Sequence, residues 1–425
     1  MRMIRIRSIG WASKSTLEVK ILRIIARLNV GGPARHVVWL TQALHGDGVE
    51  SKLIAGTVPD GEEDMSYFAA ENGVEPIYIR EMSRELSAKD AVSLWKVLKT
   101  IRLERPDIIH THTAKAGTVG RAAALIYKWF TPGTLIGRPR HVKVVHTFHG
   151  HVFHSYYGKR KTQIFVLIEK ILARLASDKI IVITPQQFRE IHSEVGVGRK
   201  EQFEVIPLGI DLSQFDASDI TRREFREEFA ISDETLIVGF VGRLTEIKNI
   251  PMLLKAAKFY FESGDVPQAK FIIVGDGHMR SELERMTNEF QLREHVIFAG
   301  NREDLGRVYA GLDVIALTSL NEGTPLSVIE AMASRRPVIA TLVGGVVDLL
   351  GATEQQMDGF TVAERGIGVP SGEAEVFAKG LIYLAKNERL RFDLRERGHQ
   401  FAINNYGKER LISDIRSLYD RLLEK

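Results

Sequence analysis

The sequence predicts an α/β fold made of two doubly wound domains. Three observations point to it. Short apolar, β-branched runs alternate with helical stretches along both halves of the 425 residues, the alternation pauses once near the middle, and the net charge changes sign at the pause.

In the first half the runs are KILRIIARL (20–28), SKLIAG (51–56), EPIYI (75–79), DIIHTHT (107–113), KVVHTFHG (143–150), KIIVIT (179–184) and FEVIPLGID (203–211). In the second they are LIVGFVGR (236–243), AKFIIVGDG (269–277), HVIFAG (295–300), DVIALTS (313–319) and RPVIATLVGG (336–345). Runs this short and this apolar suit parallel strands covered by helices on both faces. The pause at IPLGIDLSQFDAS reads as a linker over 206–218 between a first domain (20–205) and a second (219–400). Over 401–425 a C-terminal helix follows, with Leu411, Ile415, Leu418 and Leu422 at helical spacing, expected to pack back toward the first domain. Two such domains facing each other would set the carboxyl ends of their strands at a shared cleft, where these sheets bind ligands.

Composition narrows the function. With no cysteine, disulfides and thiolate metal sites are excluded. No apolar stretch is long enough to span a bilayer, and residues 1–19 read as a basic extension rather than a signal peptide, so a cytoplasmic protein is expected. Residues 1–210 hold 31 Lys+Arg against 20 Asp+Glu, or +11, and the remainder holds 27 against 34, or −7. The positive half favours an anionic partner. Nucleic acid is not expected, because the cations are scattered and no reader motif occurs.

Four stretches carry chemistry. In EGTPLSVIE (322–330), Thr324 suits an N-cap and Pro325 the first helical position, which places free N–H groups and a positive dipole end beside Glu322. Glu322 and Glu330 are acceptors suited to hydroxyl groups of a ribose and a sugar ring. In FVGRLTEIKNIPMLLKAAK (240–258), Arg243 and Lys248 stand beside a helix capped by Asn249, a pattern that suits a diphosphate. In RLNVGGPARHV (27–37), Gly31 and Gly32 allow close backbone approach to a phosphate, although neither a dinucleotide fingerprint nor a P-loop is present. In HTFHGHVFHSYYGKRK (146–161), four histidines at 146, 149, 151 and 154 follow a strand; without H-E-x-x-H or nearby carboxylates they read as ligand-reaching and structural groups, not as a metal site. The neighbouring run DIIHTHTAKAG adds His112 and Lys115.

Together these stretches resemble the retaining nucleotide-sugar glycosyltransferases of family four, whose fold is GT-B. The resemblance runs from about residue 20 to the end and is carried by the Glu322 to Glu330 spacing with EAMASRRPVIATLVGG, by GRLTEIKN and by VGDGH (274–278), in that family's order. It implies that Arg243 and Lys248 hold the donor diphosphate, Glu330 the ribose and Glu322 a hydroxyl of the transferred sugar. It implies that main chain at Gly275, Gly323, Thr324, Pro325, Leu326 and Ser327 lines the donor, with Gly31 and Gly32 approaching from the first domain. His149 matches the family's histidine beside the donor sugar and is counted with Glu322, Arg243 and Lys248 as catalytic. The first domain would bind the acceptor, with His112, Lys115 and His151 as contacts. No cofactor and no metal are implied. This chain departs from the family at Gly323-Thr324 (often Phe-Gly), at Ser334-Arg335-Arg336 (usually a Gly) and at Asp348 (usually Glu), which bears on the identity of the sugar. A nucleotide-sugar 2-epimerase of related fold and a non-catalytic nucleotide-sugar-binding subunit are the alternatives.

The expected donor is a UDP-sugar. The basic, aromatic HVFHSYYGKRK followed by QIFVLIEKILARLA suggests a surface that rests on an anionic membrane on its cytoplasmic face, with a lipid-linked saccharide as acceptor. Oligomeric state is not legible.

Overall fold

The computed structural model describes residues 19–29, 32–58, 64–82, 89–149, 159–215 and 218–424. The chain forms two units. One takes everything up to Gly209 together with Lys408–Lys425, and the other is Ile210–Gly407. The division at 210 falls within the predicted linker 206–218, whereas the C-terminal segment joins the first unit at 408 rather than at 401. A helix over Glu388–Tyr406 belongs to the second unit, Gly407 is extended, and the helix Lys408–Leu423 belongs to the first. The predicted basic extension lies almost wholly outside the described residues.

The first unit is a sheet of seven parallel strands: β1 (Val19–Ile25), β2 (Val49–Ala55), β3 (Ile77–Tyr78), β4 (Ile108–His112), β5 (Lys143–Thr147), β6 (Lys179–Val182) and β7 (Phe203–Val205). Their order is β3-β2-β1-β4-β5-β6-β7. β1 and β4 neighbour each other with later strands on either side, so the crevice at this switch point opens beyond Ile25 and His112. The C-terminal helix closes one core layer. Its Leu411, Ile415, Leu418, Tyr419 and Leu422 pack with residues of β1, β4, β5 and β6.

The second unit is a sheet of eight strands in the order β10-β9-β8-β11-β12-β15-β14-β13. Its strands are β8 (Leu236–Val241), β9 (Ala269–Val274), β10 (Val296–Gly300), β11 (Val314–Leu317), β12 (Val338–Thr341), β13 (Thr353–Gln356), β14 (Thr361–Ala363) and β15 (Gly366–Val369). Six strands are parallel, and β13–β14 adds an antiparallel edge to β15. That edge departs from the expected purely parallel sheet. Its first strand reads TEQQ, is fully exposed, and carries no apolar signal. Here the switch point lies between β8 and β11.

Candidate active site

In the second unit, both chemistry-bearing stretches leave the sheet at its switch point. β8 ends at Val241 and leads to Gly242 and Arg243, while β11 ends at Leu317 and leads to Thr318–Glu322. The two loops are tied together. Leu320 N–H donates to Ile247 C=O at 2.8 Å, and Thr318 Oγ1 donates to Lys248 C=O at 3.1 Å. Across this junction Lys248 Nζ meets Glu322 Oε1 at 2.5 Å, and Ser319 Oγ donates to the same oxygen at 2.6 Å. Cation and carboxylate, assigned by sequence to different parts of a donor, thus begin as a pair. Arg243 is exposed and has no carboxylate partner among the described residues, so its guanidinium is open to an anion.

A second turn clamps the Glu322 loop from behind. Gly344 has φ +49°, and a Cβ there would lie 1.9 Å from Glu322 C=O. At Gly345 a Cβ would lie 1.8 Å from Gly323 C=O, and Gly345 N–H donates to Glu322 C=O at 3.2 Å. Only glycines allow this approach. The same holds at Gly275, with φ +127°, where a Cβ would stand 2.0 Å from Gly242 C=O.

The helix after this loop runs Leu326–Ala333, one residue later than expected. Pro325, not Thr324, takes the N-cap position, with ψ 113°. The chain is still turning out of the clamped Glu322–Gly323 segment at Pro325, and Thr324 Oγ1 is buried without a partner instead of capping. Val328 N–H is the first in the stretch to reach a backbone carbonyl, that of Pro325 at 3.2 Å. The N–H groups of Gly323, Thr324, Leu326 and Ser327 find no partner among the described residues, which leaves a donor-rich helix start. On the same helix Glu330 Oε2 accepts from the hydroxyl of Tyr309 at 2.9 Å. Tyr309 is wholly buried, and burial and the Glu330 charge push its phenol well up, so it stays a donor. Sequence reasoning missed Tyr309; a buried tyrosine in VYAGLDVIA reads as ordinary core.

In the first unit, the predicted histidines converge at the end of β4 and β5. His112 Nδ1 and His149 Nε2 share a hydrogen bond of 3.0 Å. Behind them His110 bonds Tyr419 at 2.6 Å and Thr147 at 2.7 Å, and His146 Nδ1 bonds Thr111 Oγ1 at 2.8 Å. His36 joins them from the helix Gly32–Ala43, its ring 4.8 Å from that of His149, with both nitrogens buried and unpartnered. Burial holds His149 down to about 4. Burial, with neighbouring imidazoles and arginines, holds His36, His110, His112 and His146 well below the usual histidine range. The cluster is therefore neutral at pH 7. His36, His112 and His149 offer nitrogens within 4.8 Å of one another, a set that could hold a metal ion and that shares only His149 with the histidine run at 146–154.

Lys115 is not presented to a ligand. Its side chain is 6% exposed and meets Asp90 at 2.5 Å. Gly32 opens its helix on the surface, with nothing within 4 Å of a Cβ built there. Gly31 and His151 lie outside the described residues, and so do the side chains of Lys159, Arg160 and Lys161.

Two family models cover the two halves. "Glycosyltransferase Family 4" matches residues 30–214, and "Glycosyl transferases group 1" matches 221–401. The chain belongs to the family-four glycosyltransferases. A curated relative of this glycosyltransferase is the UDP-Gal:alpha-D-GlcNAc-diphosphoundecaprenol alpha-1,3-galactosyltransferase of Escherichia coli, 27% identical over 85% of this chain and 90% of the relative. Another is the capsular polysaccharide biosynthesis glycosyltransferase CapM of Staphylococcus aureus, 24% identical over 86% and 89%. Among solved structures, Anabaena Alr3699/HepE in complex with UDP is similar with a TM-score of 0.75 at 19% identity, covering 95% of this chain and 100% of that one. These likenesses place this glycosyltransferase in the GT-B fold.

Proposed function

We propose that this glycosyltransferase moves a sugar from a UDP-sugar to a hydroxyl of a lipid-diphosphate-linked saccharide, on the cytoplasmic face of a membrane, with retention and without a metal. The observation that carries the reading is the Lys248–Glu322 pair beside exposed Arg243 and the open N–H groups of Gly323–Ser327. When the bond between the sugar's anomeric carbon and the diphosphate oxygen breaks, its electron pair leaves with the nucleoside diphosphate. Arg243, Lys248 and the helix start stabilise that charge, a preorganised effect that carries such reactions. The acceptor oxygen attacks the same face as the leaving group departs, and its proton passes to the departing phosphate. Glu322, already held by Lys248 and Ser319, is placed to accept from a hydroxyl of the sugar. Glu330, oriented by Tyr309, accepts from the ribose.

Charge supplied by Arg243 and Lys248, with no Asp-x-Asp run in the sequence, supports the metal-free reading. The E. coli relative acts on a UDP-sugar and a diphosphoundecaprenol-linked acceptor, which supports both substrate classes. A thermal-shift screen of UDP-, GDP- and ADP-sugars tests the donor: a UDP-sugar should raise Tm most, since it binds only the folded chain. Transfer to a lipid-diphosphate-linked saccharide should then continue in excess EDTA and give the donor's anomer. Turnover lost to EDTA and restored by Mg²⁺, or an inverted product, overturns that part.

A further inference from the structure

The helix Lys159–Ala176 is apolar on two faces. Inward, Phe165, Leu172, Ala173 and Ala176 are buried, and Glu169 forms a fully buried pair with Arg121 at 2.6 Å. Outward, Ile164, Leu167, Ile171 and Leu175 fall on one stripe at helical spacing, and all four are exposed, Leu175 by 60%. The stripe spans about 16 Å of helix. Beside it, the segment after the Ala114–Trp129 helix carries Phe130, 74% exposed, and Leu135, 89% exposed, with exposed Ile136 next in line. Lys128 reaches Asp178, just beyond the end of the striped helix, at 3.5 Å, so the segment flanks that end.

Charge says what covers this surface. Residues 128–143 hold four Lys and Arg and no acidic residue. Residues 159–176 hold five and one acid, Glu169, which is internal. A second copy of this face would oppose cation to cation. Residues 1–18, with four Lys and Arg against Glu18, would meet the same repulsion. What remains is anionic outside and apolar within. An exposed aromatic–apolar tip in a segment without acidic residues, beside an amphipathic stripe, has the chemistry of a peripheral protein at a bilayer interface. Among the described residues no helix is long and apolar enough to cross a membrane.

We propose that the outer face of Lys159–Ala176 and the segment Trp129–His141 together dock this glycosyltransferase on an anionic lipid bilayer. The inference deepens the lipid-linked acceptor reading and rests on it. Flotation of the full chain with vesicles of phosphatidylcholine alone, or mixed with phosphatidylglycerol, tests it. The wild type should float only with phosphatidylglycerol, and less as salt rises. The variant Ile164→Ser/Leu167→Ser/Ile171→Ser/Leu175→Ser, and separately Leu135→Ser/Ile136→Ser, should each lower vesicle binding roughly tenfold or more, as lost apolar insertion requires. All these positions are exposed, so the thermal shift with UDP should be kept. Wild-type protein that stays in the dense fraction at low salt, or variants that float like wild type, overturn the proposal. So does sedimentation velocity showing a wild-type dimer that the four-fold variant makes monomeric, or flotation that depends on residues 1–18 instead. If flotation behaves as stated while only a water-soluble acceptor is glycosylated, the acceptor reading fails and the docking surface stands.

Discussion

Lys248 and Glu322 restrain each other before any donor arrives, with Ser319 sharing the carboxylate. In the proposed donor mode, a phosphate entering beside Lys248 would compete for its ammonium and release part of Glu322's charge toward a sugar hydroxyl. Removing the cation should therefore harm the chemical step more than the fold: Lys248→Ala should lower kcat about a hundredfold, ~3 kcal/mol of lost charge stabilisation, with little change in Tm. Steady-state kinetics that leave kcat near normal would make Lys248 a loop charge. Glu330 and Tyr309 give a paired expectation. Glu330→Ala should weaken UDP binding, Tyr309→Phe should weaken it less, and Glu322→Ala should spare UDP but depress transfer. Calorimetry with UDP checks this, and equal losses for the two glutamates would break the division of roles. The loop position of Glu322 and the helix position of Glu330 were readable in the sequence, because a Pro before a helical pattern announces them. Tyr309 was not, because its role exists only where its hydroxyl meets Glu330, and no spacing encodes that meeting.

The VGG turn after β12 acts on the Glu322–Thr324 loop as one element pressing on another. A Cβ at Gly345 would occupy the space of Gly323 C=O, so Gly345→Ala should displace the Glu322–Thr324 loop. The expected result is a loss of sugar transfer of tenfold or more, with the Tm lowered modestly, as strain at such contacts costs ~1–3 kcal/mol. Full activity in the alanine variant would show that the loop can slide. β8, β11 and the helix starting near Thr324 were legible, since apolar runs ending in Gly-Arg or Thr-Ser and a Pro before a helical pattern each have a local cause. The β13–β14 edge was not, because TEQQ faces water on both sides and its pairing is decided by the turn between the strands. Thr324 differs for a related reason: local propensity favours it as a cap, and the clamp by Gly344 and Gly345, distant in sequence, holds the chain so that the helix starts later. Lys115 read as an open cation because its partner Asp90 lies on another helix.

Across the whole molecule, titratable strain is uneven. His36, His110, His112, His146 and His149 all lie in the first unit and are all neutral in the fold. Their folded pKa values are below the ordinary 6.5, so the unfolded chain binds more protons between the two values, and stability rises with pH there. Read downward, stability is lost as pH falls from about 6.5, and for His149 the loss continues to about 4. Calorimetry should show the first unit's transition moving to lower temperature across this window while the second unit's moves less. His149→Gln should flatten part of the dependence. A pH-independent first transition would mean the ring cluster opens to water in solution.

The helix Lys408–Leu423 gives synthesis a fixed order. A ribosome delivers Ile210–Gly407 entire before it releases Leu411, Ile415, Leu418 and Tyr419, which the first unit needs to close its core layer. The unit begun first is thus finished last. Until then the nascent chain carries an open apolar groove, with Ile21, Leu40, Val145 and Ile181 facing a partner not yet translated, and it is in that interval that a chaperone would find it.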